Sequence, residues 1–151
     1  MKVNFKGFKD SVVKDESGKE ILSFEKSKTL PTRECYSIIN TQQEKVGNIE
    51  RSRSNFGLVE SPKIIISLNN DKITIKKDIK ELREVYEITG SDISIIGDWN
   101  RGSFKISKGN QILAAIDVDN QELEKNYVVD VVDQSNLEEV LSIVFALSWI
   151  K

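Results

Sequence analysis

Ser135-Asn136-Leu137-Glu138-Glu139-Val140-Leu141-Ser142-Ile143-Val144-Phe145-Ala146-Leu147-Ser148-Trp149-Ile150 contains the longest apolar stretch of the chain. Ser135, with Glu138 three residues later, predicts a capping box. Glu138 and Glu139 suit the positive end of a helix dipole. A helix over about 136–150 follows. Between Leu137 and Ile150 there are ten apolar side chains, Leu137, Val140, Leu141, Val144, Phe145 and Leu147 among them. At about 3.6 residues per turn they point in every direction. A helix that is apolar all round is buried in protein or in a membrane. Some fifteen residues reach roughly 22 Å, short of a hydrocarbon core of about 30 Å. That length matches the depth of a barrel of short strands, at about 3.3 Å per residue. The stretch therefore predicts a buried central helix threaded through a β-barrel.

Upstream, the chain supplies the barrel. Apolar and polar residues alternate in short segments separated by turn clusters, a strand and hairpin signature. Ile21, Leu22 and Phe24 follow Asp15-Glu16-Ser17-Gly18. Tyr36, Ile38 and Ile39 lead into Asn40-Thr41-Gln42-Gln43. Ile64 to Leu68 closes at Asn69-Asn70-Asp71, and Ile73 and Ile75 then alternate with Lys72, Thr74 and Lys76. Later segments end at Gly90-Ser91, Gly97-Asp98 and Lys108-Gly109-Asn110. Eleven or twelve strands over about 2–132 are predicted, at spacings of a sandwich or barrel. A weak echo links Val13 to Ile21, Ile66 to Ile75, and Ile106 to Ile112, as any antiparallel meander would.

The chain has 151 residues, one domain's worth, 1–151. It has no His and a single Cys. This excludes His-based triads, His–zinc sites, internal disulfides and CxxC metal knuckles. No phosphate-binding glycine loop occurs. A net charge of −2 argues against a nucleic-acid binder. No cofactor and no metal are expected, and no enzymatic role. Met1-Lys2-Val3-Asn4-Phe5-Lys6 lacks the apolar core of a signal peptide, and no run is long enough for a transmembrane segment. A cytoplasmic location is expected, with free Cys35 in keeping. The charges are uneven: residues 1–80 hold sixteen basic and eleven acidic side chains, residues 81–151 six and thirteen. Interleaved halves would average this out; separate halves would make the molecule dipolar.

Lys63, Lys72, Lys76 and Lys77 form the densest basic cluster, with Lys72, Thr74 and Lys76 on one strand face. Such a face suits an anionic lipid headgroup, each Lys contributing about 1 kcal/mol near an anionic surface. It equally suits a solvated wall guarding an edge. Asp117, Asp119, Glu122 and Glu124 alternate at a spacing that offers oxygens to Ca²⁺ but lack the order of an EF-hand loop, and read as a solvated loop. Trp99, beside Arg101, reads as a lid on one barrel end or as a contact residue. Arg51 and Arg53 read as an anion site or a polar loop. Cys35 reads as an inert strand residue.

Val85-Tyr86-Glu87-Ile88-Thr89-Gly90, Phe104-Lys105-Ile106, Ala115-Ile116-Asp117, Tyr127-Val128-Val129-Asp130-Val131 and the terminal helix together resemble the LURP-one-related family. Val12-Val13-Lys14-Asp15-Glu16-Ser17-Gly18 and Ile73-Thr74-Ile75-Lys76-Lys77 fit the same pattern. The motifs are diffuse; order and spacing over about 2–150 carry the likeness. The resemblance implies the tubby C-terminal-like fold, a closed antiparallel β-barrel of about twelve strands around a hydrophobic C-terminal helix, in a short bacterial-type member. It also implies a non-catalytic module that binds a membrane phospholipid or a protein partner. A small-molecule or fatty-ligand carrier is the alternative, disfavoured because the helix fills the barrel, and an enzyme ranks third.

Overall fold

In the computed structural model, the alternation of the sequence becomes one antiparallel sheet of twelve strands. The structure describes residues 1–6, 12–27, 33–56, 59–80, 83–97, 99, 102–121 and 124–150; of these, the side chains of 33, 53–56, 59–62, 77–80, 83–87, 120–121 and 124–125 are outside the description. The strands are β1 (Lys2–Phe5), β2 (Val12–Asp15), β3 (Glu20–Lys26), β4 (Arg33–Ile39), β5 (Lys45–Phe56) and β6 (Val59–Leu68). They continue with β7 (Asp71–Lys80), β8 (Arg83–Thr89), β9 (Ile93–Gly97), β10 (Phe104–Lys108), β11 (Gln111–Gln121) and β12 (Glu124–Val131). Helix α1 (Leu137–Trp149) ends the fold.

Apart from β8 and β9, strands consecutive in the chain pair with each other, and β1 pairs with β12, Val3 opposite Val129 and Phe5 opposite Tyr127. The order runs β8-β7-β6-β5-β4-β3-β2-β1-β12-β11-β10-β9. The barrel is therefore nearly closed rather than closed: among the described residues, no ladder joins β8 to β9. The connection between them explains this. Gly90, Ser91 and Asp92 all have positive φ, at 107°, 50° and 55°. The Asp92 carbonyl accepts from the Gly109 amide at 3.0 Å, which ties the turn to the β10–β11 hairpin. The echo of the sequence has its counterpart here, since β2–β3, β6–β7 and β10–β11 are hairpins turning at the same end of the barrel. In β6–β7 the turn is two residues, with Asn69 and Asn70 at φ 50° and 66°, the primed geometry that suits the twist of a hairpin.

The order keeps the two halves of the sequence apart. Strands β1 to β7 form one uninterrupted arc with twelve basic and eight acidic residues; β8 to β12 hold four and six, and the larger part of the acidic excess of residues 81–151 lies outside the strands.

Inside, Val3, Phe5, Val13, Leu22, Phe24, Ile38, Ile49, Ile64, Ile66, Ile75, Ile106 and Ile116 close around α1. Every residue from Val140 to Ile150 is buried, as the helix's all-round apolar character requires. Its two buried hydroxyls bond to the helix itself: Ser142 Oγ donates to the Glu138 carbonyl at 2.6 Å, and Ser148 Oγ to the Phe145 carbonyl at 2.7 Å. This satisfies polar groups that a dry core would otherwise penalise. The start differs from the predicted capping box. Asp133 supplies the cap, its Oδ1 accepting from the Ser135 amide at 3.0 Å, and a 3-10 turn over Gln134–Asn136 leads into the helix. Ser135 lies inside that turn, two residues after the capping Asp133 and one before Asn136, the residue that precedes the helix.

Candidate functional site

The outer wall of the β6–β7 hairpin holds the basic cluster. Register sets Lys63 opposite Lys76, Ile65 opposite Thr74 and Ser67 opposite Lys72. Successive residues of a strand face opposite sides, and inward-facing Ile64, Ile66, Ile73 and Ile75 are buried. Lys63 is half-buried, whereas Lys72 and Lys76 are exposed. Among the described residues, none of the three lysines has an ion-pair partner. Like charges directly across a strand pair oppose each other, and Lys63 and Lys76 are such a pair. Their neighbours on the same face are Ser67, Thr74 and Thr89, all hydroxyl bearers. The acids beside them by register are Glu50, opposite Ile65 on β5, and Glu87, opposite Lys76 on β8; the Glu87 side chain is outside the description. So is that of Lys77, whose backbone pairs with Tyr86. Gly90 braces the hairpin from β8: at φ 107° it lies so close to the Lys72 carbonyl that a Cβ would collide with it.

The remaining candidates are scattered over the barrel. Asp117 and Asp119 are exposed residues of β11 rather than of a loop, and Asp117 accepts from Ser103 Oγ at 2.7 Å. Glu122, Asp98, Asn100 and Arg101 are outside the described residues, as is the Glu124 side chain. Trp99 is buried and joins the core, which agrees with a lid more than with an exposed contact. Cys35 sits half-buried on β4, with the Asn48 amide donating to its Sγ at 3.7 Å.

Arg51 is not in a loop. It belongs to β5, and with Ile49 it faces the interior, where its guanidinium carbon lies 5.6 Å from the ring centre of Trp149. Arg53 shares the strand, its side chain outside the description. Alternation was the signal for Arg51, since it follows Ile49 by two. No local pattern announces the pairing of Lys108 with Glu139, 3.5 Å apart, which fastens β10 to the first turn of α1.

In sequence, the LURP-one-related family matches residues 1–148. The chain belongs to the LURP-one-related family. No curated protein and no solved structure matches it. Among the described residues, no helix of this LURP-one-related chain is long and apolar enough to cross a membrane.

Proposed function

We propose that this LURP-one-related protein is a non-catalytic module with a tubby C-terminal-like barrel, and that it docks from the cytoplasm onto an anionic phospholipid surface through Lys63, Lys72 and Lys76. One observation carries the reading: three lysines without an ion-pair partner among the described residues share one wall of the basic arc. An anionic surface supplies the charge that this wall lacks, at about 1 kcal/mol per lysine. A fatty-ligand carrier is less well supported, because α1 occupies the axis along which such a ligand would lie.

Sedimentation with phosphatidylserine vesicles tests the reading. Wild-type protein is expected to pellet at low salt and to be released as salt rises, since exposed charges are screened beyond roughly 8–10 Å. Lys72→Glu with Lys76→Glu is expected to abolish pelleting. Wild-type protein that stays in the supernatant at low salt overturns the lipid reading and leaves a protein partner as the occupant of the wall.

A further inference from the structure

Both edges of the sheet lie at the seam. β8 and β9 are the edge strands, and among the described residues no ladder runs between them. Each arm of the turn that joins them is held by a different neighbour. Gly90 is packed against the Lys72 carbonyl on β7, and the Asp92 carbonyl accepts from the Gly109 amide of the β10–β11 turn. The two strands therefore leave the turn on separate supports, and each presents a row of backbone N–H and C=O groups to the gap. The core is less well covered here. Ile88 is opposite Ile75 and Ile95 is opposite Ile106, so both face inward. Ile75 and Ile106 are fully buried, whereas Ile88 and Ile95, on the two lips of the seam, are only half-buried.

Edge strands are ordinarily guarded by charge, by proline or by a cover. β8 carries Arg83, Glu84 and Glu87. β9 reads Ile93-Ser94-Ile95-Ile96-Gly97, with no charge and no proline. On its outer face Ile96, opposite Lys105, is 52% exposed. The bare edge is thus also an apolar one.

We propose that the free edge of β9 docks an extended segment of a partner protein, uncharged and apolar at alternate positions. Main-chain hydrogen bonds to β9 hold the segment, and its alternate side chains supply the selectivity. Those that face inward cover Ile95 and reach toward Ile88; those that face outward pack beside Ile96. Charge argues against an acidic or basic segment, since β9 offers nothing to pair with it. Size argues against a second copy of this chain: β9 against β9 engages five residues on each side, far from the roughly 20–30 a side of a stable interface. A linear segment needs only the edge. The lysine wall takes no part, so this inference and the lipid reading stand or fall separately.

The probe is a short, capped, fluorescein-labelled peptide of alternating valine and threonine, measured by polarisation without vesicles. It is expected to bind about tenfold more tightly than a peptide of the same composition with its valines grouped, the scale of one or two hydrogen bonds. Of its two forms N-methylated at alternate residues, at least one is expected not to bind, because methylation removes the donors of one edge. Ile96→Lys places a guarding charge on the edge and is expected to weaken binding by a similar factor, with circular dichroism confirming the fold. Amide exchange provides an independent arm: without peptide, the β9 amides that point away from β10 are expected to exchange quickly, and peptide to slow them. Absence of peptide binding overturns the proposal, as does equal binding of the alternating and grouped peptides or binding of both methylated forms. Full protection of β9 in the free protein shows a strand already paired and overturns it too. Protection that rises with protein concentration makes the occupant a second copy and overturns the choice of partner.

Discussion

The rings of Phe24 and Phe145 stack with centroids 4.2 Å apart and planes inclined by 24°. This contact joins the wall to the helix at the centre of an aromatic cluster. Tyr36 meets Phe145 edge-on at 5.0 Å and Trp149 at 5.0 Å, and Phe5 lies 6.0 Å from Phe24. Phe24 and Phe145 are both fully buried. Phe145→Ala is expected to destabilise the fold by about 3–5 kcal/mol through loss of transfer energy and opening of a cavity. Phe24→Ala acts on the same contact, so the double variant is expected to lose less than the sum of the two. Urea unfolding of the cycle measures both effects; strict additivity would mean that the stack contributes nothing of its own.

Helix α1 is the interior of the barrel, so removing it leaves the inner faces of the strands without a partner. Deletion of residues 137–151 is expected to give insoluble protein. Soluble protein with its β circular dichroism intact would show that the sheet stands alone.

Position 144 offers a gentler probe, because Val144 is fully buried. In a Cys35→Ser background, a V144C thiol is expected to resist alkylation in native buffer and to react in urea. Rapid native labelling would place the helix at the surface.

The cap makes a pH-dependent contribution. The Ser135 amide donates to the Asp133 carboxylate and holds its pKa below the ordinary value of 3.8. A carboxyl depressed on folding stabilises the protein above its unfolded pKa and loses that contribution as pH falls through its folded value. Asp133→Ala is therefore expected to lower the melting temperature at neutral pH, with the difference fading in strong acid. Ser135→Ala is expected to have the smaller effect. A larger loss from Ser135→Ala would restore the capping box that the sequence suggests.

At the other end of the helix, Arg51 sits over Trp149, where a cation complements the negative end of the dipole. The last turn of α1 contains no basic residue of its own. Arg51→Ala is expected to destabilise the protein by about 0.5–2 kcal/mol and to shift the tryptophan emission. An unchanged denaturation midpoint would show that the stacking carries no energy.

Much of this architecture is legible in the sequence, because two periodicities carry it. The twofold alternation of Ile73 and Ile75 with Lys72, Thr74 and Lys76 sets both the strand and the lysine face. The uninterrupted apolar run from Val140 to Ile150 leaves the helix nowhere but the core. What escapes such a reading depends on contacts between distant residues. Ser135 and Asp133 both suit a cap, and the choice rests on where the chain leaves β12. Lys63 and Lys72 look like one cluster until register separates them, since Lys63 comes before the hairpin turn and faces Lys76 across it. The seam between β8 and β9 has no mark in composition. It follows from a turn bonded to another hairpin.

That seam makes the protein divisible. A break in the backbone at Ser91 removes no strand-to-strand ladder, because the neighbouring strands share none. It yields two pieces: an eight-stranded meander, and a four-stranded meander that brings its own helix. They meet along the four residue pairs of β1 with β12 and around the buried face of α1. Because the eight-stranded piece lacks α1, the two pieces would have to be produced together and would find each other through the helix, so that their reassembly could report on whatever brings them together.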